Sequence, residues 1–183
     1  MPMYLEKKDL GKIFKAAFAE NRQHHLAMLT CFWTGARISQ VLALRGVDVV
    51  EINGKARIKV HRAKRGKDVF PELHADVQPE FDMTPLIALA KQRGTNKLFG
   101  SLSRQYFDVM LKRYGKAAGI HPDFCHSHVF RHSIAMIIWD ATHRLGAITQ
   151  FLAHRSENSA LQYLAENDGT LAQDAVNAVR LSA

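Results

Sequence analysis

Apolar residues recur along most of this chain at the spacing of amphipathic helices. Leu10, Ile13, Phe14, Ala17 and Phe18 fall at i, i+3, i+4, i+7 and i+8, one stripe of a helix facing a core. Leu26, Leu29, Phe32 and Trp33 predict a second helix that ends near Gly35, and Ile38, Val41 and Leu42 a third. The period then changes. From Lys55 to His61 apolar and polar residues alternate, with Ala56, Ile58 and Val60 on one side of a strand and Lys55, Arg57, Lys59 and His61 on the other. Asn53-Gly54 just before is a hairpin-turn dipeptide. The pattern predicts a strand around residues 47–52, a tight turn, a strand over 55–62, a basic turn over 63–67 and a third strand through Val69 and Phe70. An irregular stretch, 74–83, follows. The helical period then returns. Thr84 is the expected N-cap and Pro85 the first residue of one helix. Ser103 is placed to cap a longer one with Phe107, Met110, Leu111 and Tyr114 inward, closed by Gly119. Ser127 is placed to cap the next, through Ile134 and Ile138. Leu145, Ile148 and Leu152 mark another, Ser156 opens one that carries Tyr163, and Leu171, Ala175 and Val179 mark a short last one. Eight or nine helices with a three-stranded sheet between them make a mainly helical α+β fold.

Composition narrows what such a fold does. The 183 residues suit one compact domain, and no apolar run approaches the ~20 residues needed to cross a bilayer. No signal-peptide segment opens the chain, and two cysteines, Cys31 and Cys125, make no disulfide framework, so a cytoplasmic setting is expected. Basic residues outnumber acidic ones 25 to 17, for a net charge of +8. Seven of the cations, Lys55, Arg57, Lys59, Arg62, Lys64, Arg65 and Lys67, sit in 13 residues without an acid. A hairpin with one face on the core and cations on the other suits a phosphate backbone, so nucleic acid is the expected partner. A charged strand edge that deters aggregation is the competing use of those residues.

Three segments bear candidate chemistry. Thr34-Gly35-Ala36-Arg37 puts an arginine just after a glycine turn, at the start of a helix. His128-Val129-Phe130-Arg131-His132 puts His128 and Arg131 on one helical face. Leu152-Ala153-His154 is followed nine residues later by Tyr163. Cys125, His126, His128 and His132 are close in sequence, but their spacing is not that of a common structural zinc site, and no metal is expected there.

Taken in order, these segments with a lysine in the basic turn resemble the catalytic domain of the tyrosine recombinases, the phage-integrase family. The family carries Thr-Gly-x-Arg, a lysine at a β-turn, His-x-Leu-Arg-His, Leu-Gly-His and a tyrosine nine residues on. The resemblance runs from about Tyr4 to Tyr163. It implies that Tyr163 attacks a DNA phosphodiester and forms a 3′-phosphotyrosyl link. Arg37 and Arg131 would bind the phosphate, and His128 would contact it and help move the tyrosine proton. His154 would hydrogen-bond the scissile phosphate, and Lys64 would protonate the leaving 5′-oxygen. Lys59 and Lys67 in the same hairpin are rivals of Lys64. Two arginines fit such a site because each guanidinium is always charged and binds two phosphate oxygens side by side. The bond energy stays in the covalent link, so neither ATP nor a metal is implied. A homotetramer on DNA, with accessory DNA-bending proteins, is the implied assembly.

The chain departs from the family pattern in places. Gln40 stands where an acid is usual three residues after the first arginine. Ala153 replaces a glycine and Phe130 a leucine. The N-terminal core-binding domain of most members is expected to be absent, which makes residues 1–183 a single catalytic domain. That form resembles the short fimbrial-switch recombinases. Residues 170–183 are expected to form a C-terminal helix that packs either on its own domain or on a neighbouring protomer. Two other functions remain open at this level: a DNA-binding regulator on the same fold without chemistry, and a topoisomerase of the related tyrosine type.

Overall fold

The computed structural model describes residues 4–61, 68–100 and 102–152. Among them are seven α-helices and one small sheet. Helices α1 (Lys7–Glu20), α2 (Arg22–Thr34) and α3 (Ile38–Val41) precede strands β1 (Val49–Ile52) and β2 (Lys55–Ile58). Helices α4 (Pro85–Arg93), α5 (Arg104–Ala117), α6 (His128–Thr142) and α7 (Leu145–Leu152) follow. Short 3-10 turns occupy Gly46–Asp48 and Pro122–Phe124. The expected helices around Tyr163 and Leu171, and the basic turn, lie outside the described residues.

The core forms where α1, α2, α5 and α6 meet. Leu10, Ile13, Phe14 and Ala17 are all fully buried, as the stripe on α1 requires. Helix α2 is buried nearly all round, from His24 to Phe32, and so serves as the central helix. Phe14 is the hub of an aromatic cluster. It stacks on Phe130 at 5.6 Å and meets Phe81 edge-on at 5.5 Å and Phe32 at 5.6 Å. Burying a side chain such as Phe130 contributes about 1.5–3 kcal/mol. Because Phe130 lies between His128 and Arg131, this packing anchors the histidine–arginine segment to the core.

The hairpin pairs antiparallel with Val49 opposite Ile58 and Ile52 opposite Lys55. Asn53 and Gly54 both adopt positive φ, 54° and 73°, as a tight hairpin turn of this type demands. Ile58 and Val60 are fully buried, so the predicted inward face is correct. The predicted third strand is not formed. The returning segment touches β2 only through isolated bridges, Val60–Val69 and Arg57–Glu72, and the sheet has two strands. The reason is Pro71. Its carbonyl accepts from the Ile58 N–H at 2.9 Å, but it has no N–H to return, so the ladder is interrupted between the two bridges. The first strand is also shorter than expected, because residues 46–48 coil into a 3-10 turn. Gly46 lets that turn press against α4: a Cβ there would lie 2.2 Å from the Ala90 carbonyl oxygen.

Thr84 and Ser127 stand at the predicted N-cap positions of α4 and α6, but neither side chain accepts a helix N–H. Thr84 is itself helical in backbone, and its hydroxyl donates to Asp82 at 2.8 Å. Asp82 accepts the Thr84 N–H at 2.9 Å and so takes the capping role, while Pro85 opens α4 as expected. Ser127 caps nothing. Its backbone N–H is held by Asp108 of α5 at 3.3 Å. Ser103 does cap α5, accepting from Tyr106 N at 3.1 Å, and all four residues expected inward on α5 are buried.

Candidate active site

The Thr34-Gly35-Ala36-Arg37 turn is built by its own side chains. The Thr34 hydroxyl donates to the Thr30 carbonyl at 2.6 Å and accepts from Ala36 N at 3.2 Å. Gly35 ends α2 in the left-handed conformation, φ 57°. Space favours glycine there as well: a Cβ would stand 2.6 Å from Leu152 Cδ2 and 3.2 Å from Phe151 Cε1, so those side chains would have to shift. The turn is therefore pressed onto the end of α7. Arg37 follows in extended backbone at the start of α3, with its side chain exposed.

Arg131 joins these pieces. It is 3% exposed, yet always charged. Its Nη1 donates to the Gly35 carbonyl, and its Nη2 donates to the Leu152 carbonyl at 3.2 Å. One guanidinium thus ties the Gly35 turn on α2, the histidine–arginine segment on α6 and the end of α7. A buried charge on fixed carbonyl partners is stable only while those partners stay in place. Arg131 therefore both depends on this junction and holds it together.

His128 is the first residue of α6 and is exposed. Its imidazole is held below the ordinary value first by desolvation against the protein, then by the positive fields of His126, Arg104, Arg37 and Arg131. Four basic groups from α3, α5 and the start of α6 therefore crowd one histidine. Asp108 of α5 is nearby, against the Ser127 N–H, yet the positive groups outnumber it, and such an excess suits an anion. Arg104, at the first position of α5, was not singled out by the sequence. The Ser103 cap marked its place on a helix, but nothing in the pattern paired it with His128.

The structure brings Arg37, His128 and Arg131 into one neighbourhood. Lys64, His154 and Tyr163, and the hairpin cations Arg62, Arg65 and Lys67, lie outside the described residues. The remaining hairpin cations are not bare. Lys55 and Arg57 share Glu72 at 3.0 Å and 3.6 Å, and Lys59 meets Asp68 at 3.4 Å. The run without an acid thus finds its counter-charges in the returning segment, which sequence order alone does not pair with it. Lys55 holds Glu72 below its ordinary value by hydrogen bonding. Asp68 is also lowered: desolvation pushes it up, but Lys59 and His61 outweigh that. Among the described residues, no group of three or more metal-binding side chains is present, and no helix is long and apolar enough to cross a membrane.

Comparison with known proteins adds a frame to this geometry. The sequence model of the phage integrase family matches residues 3–170. The type 1 fimbriae regulatory protein FimB of Escherichia coli K12 is 27% identical over 175 residues, covering 91% of this chain and 86% of that protein. Among solved structures, XerA recombinase superposes with a TM-score of 0.71 at 22% identity, over 97% of this chain and 63% of that one. XerH recombinase in a post-cleavage complex with its difH substrate superposes at 0.70 and 19% identity, over 95% of this chain. This chain spans about half of XerH, 52%. The catalytic domain of bacteriophage HP1 integrase superposes at 0.63 and 19% identity, with 95% and 93% covered. These structures share the fold.

Proposed function

Since this chain belongs to the phage integrase family, the tyrosine recombinases, we propose that it is a site-specific DNA recombinase acting through a covalent tyrosine intermediate. The observation that carries the reading is the junction at Arg131. A buried arginine bonds the Gly35 turn beside Arg37 and the end of α7, two residues before His154. Three sequence segments that the family resemblance assigns to the phosphate meet there, which supports the reading.

In this reading Arg37 and Arg131 bind the non-bridging oxygens of one DNA phosphodiester, and His128 sits beside it. A low imidazole value leaves His128 neutral in the free protein near neutral pH, able to accept a proton. The Tyr163 oxygen attacks phosphorus and its proton passes to a base. The bond from phosphorus to the 5′-oxygen breaks, and Lys64 gives that oxygen a proton. The products are a 3′-phosphotyrosyl link and a free 5′-hydroxyl. Attack by a 5′-hydroxyl of a partner strand reverses the steps and releases the tyrosine. The clustered guanidinium charge stabilises the extra negative charge at phosphorus in both directions. His154 completes the phosphate contacts. Double-stranded DNA lies against the basic hairpin and protomers assemble on it; XerH, which shares the fold, is bound to its difH substrate in a post-cleavage complex.

The test is a nicked suicide duplex carrying the recombination site. A protein–DNA band that survives denaturant is expected with the natural chain and is absent with Tyr163→Phe. A band that persists in Tyr163→Phe, or none with the natural chain, overturns the reading. A two-site substrate then separates strand exchange from mere nicking and closing.

A further inference from the structure

Three residues after Arg37, Gln40 is partly buried on α3, and both ends of its amide are in use. Its Oε1 accepts from the Arg37 backbone N–H at 2.9 Å. Its Nε2 donates to the His61 carbonyl at 2.7 Å. The first bond satisfies a donor that the start of α3 leaves open. The second crosses to the strand continuing from β2. That strand is pinned locally as well. Lys59 N donates to the Asp48 carbonyl at 2.7 Å, and the His61 ring nitrogens lie 3.3 Å from Asp48 and 3.3 Å from Asp68. One side chain therefore bolts the Arg37 turn to the hairpin just before its basic turn.

From this we infer that Gln40 is a positioning residue, which fixes Arg37 relative to the hairpin through an acceptor at one end and a donor at the other. The inference rests on the reading of Arg37 as a phosphate-binding group. It also gives a physical reason for an amide rather than an acid at this position. A carboxylate can take the Arg37 N–H, but it offers no donor to the His61 carbonyl and sets two oxygens against each other at that distance. A carboxylate here would hold one half of the link and break the other.

Two variants separate the halves. Gln40→Met keeps the length and removes both bonds. Gln40→Glu keeps the acceptor alone. The readouts are amide hydrogen exchange at Arg37 by NMR, affinity for the duplex, and the suicide-cleavage rate at saturating duplex. Gln40→Met is expected to speed Arg37 exchange and to slow cleavage about tenfold, with affinity changed less than about twofold, because a small misplacement of a catalytic group costs rate rather than binding. Gln40→Glu is expected to retain Arg37 protection yet lose cleavage to about the same extent. Natural exchange and natural cleavage in Gln40→Met overturn the inference, and so does a loss of rate that only tracks lost affinity. If Gln40→Met does not fold, Gln40→Glu decides: a natural cleavage rate overturns the inference and a tenfold loss with Arg37 still protected supports it. If the natural chain forms no covalent complex, the recombinase reading fails by itself. Exchange then decides the Arg37 half of the link, and Arg37 protection unchanged in Gln40→Met overturns the inference.

Discussion

Gly35 carries more of the site than its size suggests. Its left-handed backbone turns the chain from α2 toward Arg37, its missing side chain admits Leu152 and Phe151, and its carbonyl receives Arg131. An added methyl strains the backbone by about 1–2 kcal/mol, since L-residues disfavour that conformation, and it pushes on the side chains at the end of α7. Gly35→Ala is therefore expected to lower the stability read by urea unfolding by about that amount. It should also slow covalent-complex formation more than it weakens DNA binding. Unchanged unfolding and cleavage would show that the junction tolerates a side chain there. Arg131 follows the same logic. A lysine offers one point charge where two carbonyls need two aligned donors, so the chemically similar residue is not an equivalent.

The hairpin shows how an element differs from the residues that compose it. Its cations look unopposed in sequence, yet Glu72 and Asp68 return beside Lys55, Arg57 and Lys59. A phosphate arriving on this face has to displace those carboxylates. Glu72→Gln removes the charge shared by Lys55 and Arg57. The variant is expected to bind non-specific duplex roughly twofold to fivefold more tightly at low salt, with the difference closing as salt screens the field. Titration of a fluorescent duplex at two salt concentrations checks this. Equal affinities at low salt would place the DNA elsewhere. The same element explains why Gln40 matters: a hairpin held to α3 by one amide is a defined neighbour of Arg37, whereas an unattached one is only a basic surface.

For the whole molecule, buried histidines make acid the weak direction. His25 is fully buried beside Phe14 and Phe18, with Nε2 2.8 Å from the Glu80 carbonyl. Burial pushes it below its ordinary 6.5, against the upward pull of the Glu80 bond. Burial lowers His24, which pairs with the Tyr114 hydroxyl at 2.9 Å, in the same direction. The unfolded chain therefore takes up protons first as the pH falls. The stability these neutral rings allow is whole above about 6.5 and is lost progressively below it, toward the folded values. Melting temperature is expected to fall from pH 7.5 to pH 5, and less steeply in His25→Gln. Parallel slopes in the two proteins would assign the acid sensitivity to other groups.

Much of this was legible in the chain itself, because local patterns have local causes. The stripe on α1, the inward face of α5, the Asn53-Gly54 turn and the buried side of β2 are set by periods of 3.6 and 2 and by residues that tolerate positive φ. The order of the motifs from Thr34 to Tyr163 identified the family for the same reason: their spacing is a property of the sequence. What the folded chain alone decided is long-range. Pro71 denies the third strand because of where it falls opposite Ile58. Glu72 and Asp68 neutralise cations they follow by several residues. The Arg104 charge acts on His128 from another helix, and Gln40 becomes a bridge because His61 lies across from it. Such pairings depend on which backbone atoms meet in space, and that is fixed by packing around Phe14 and Phe130 rather than by any neighbour along the chain.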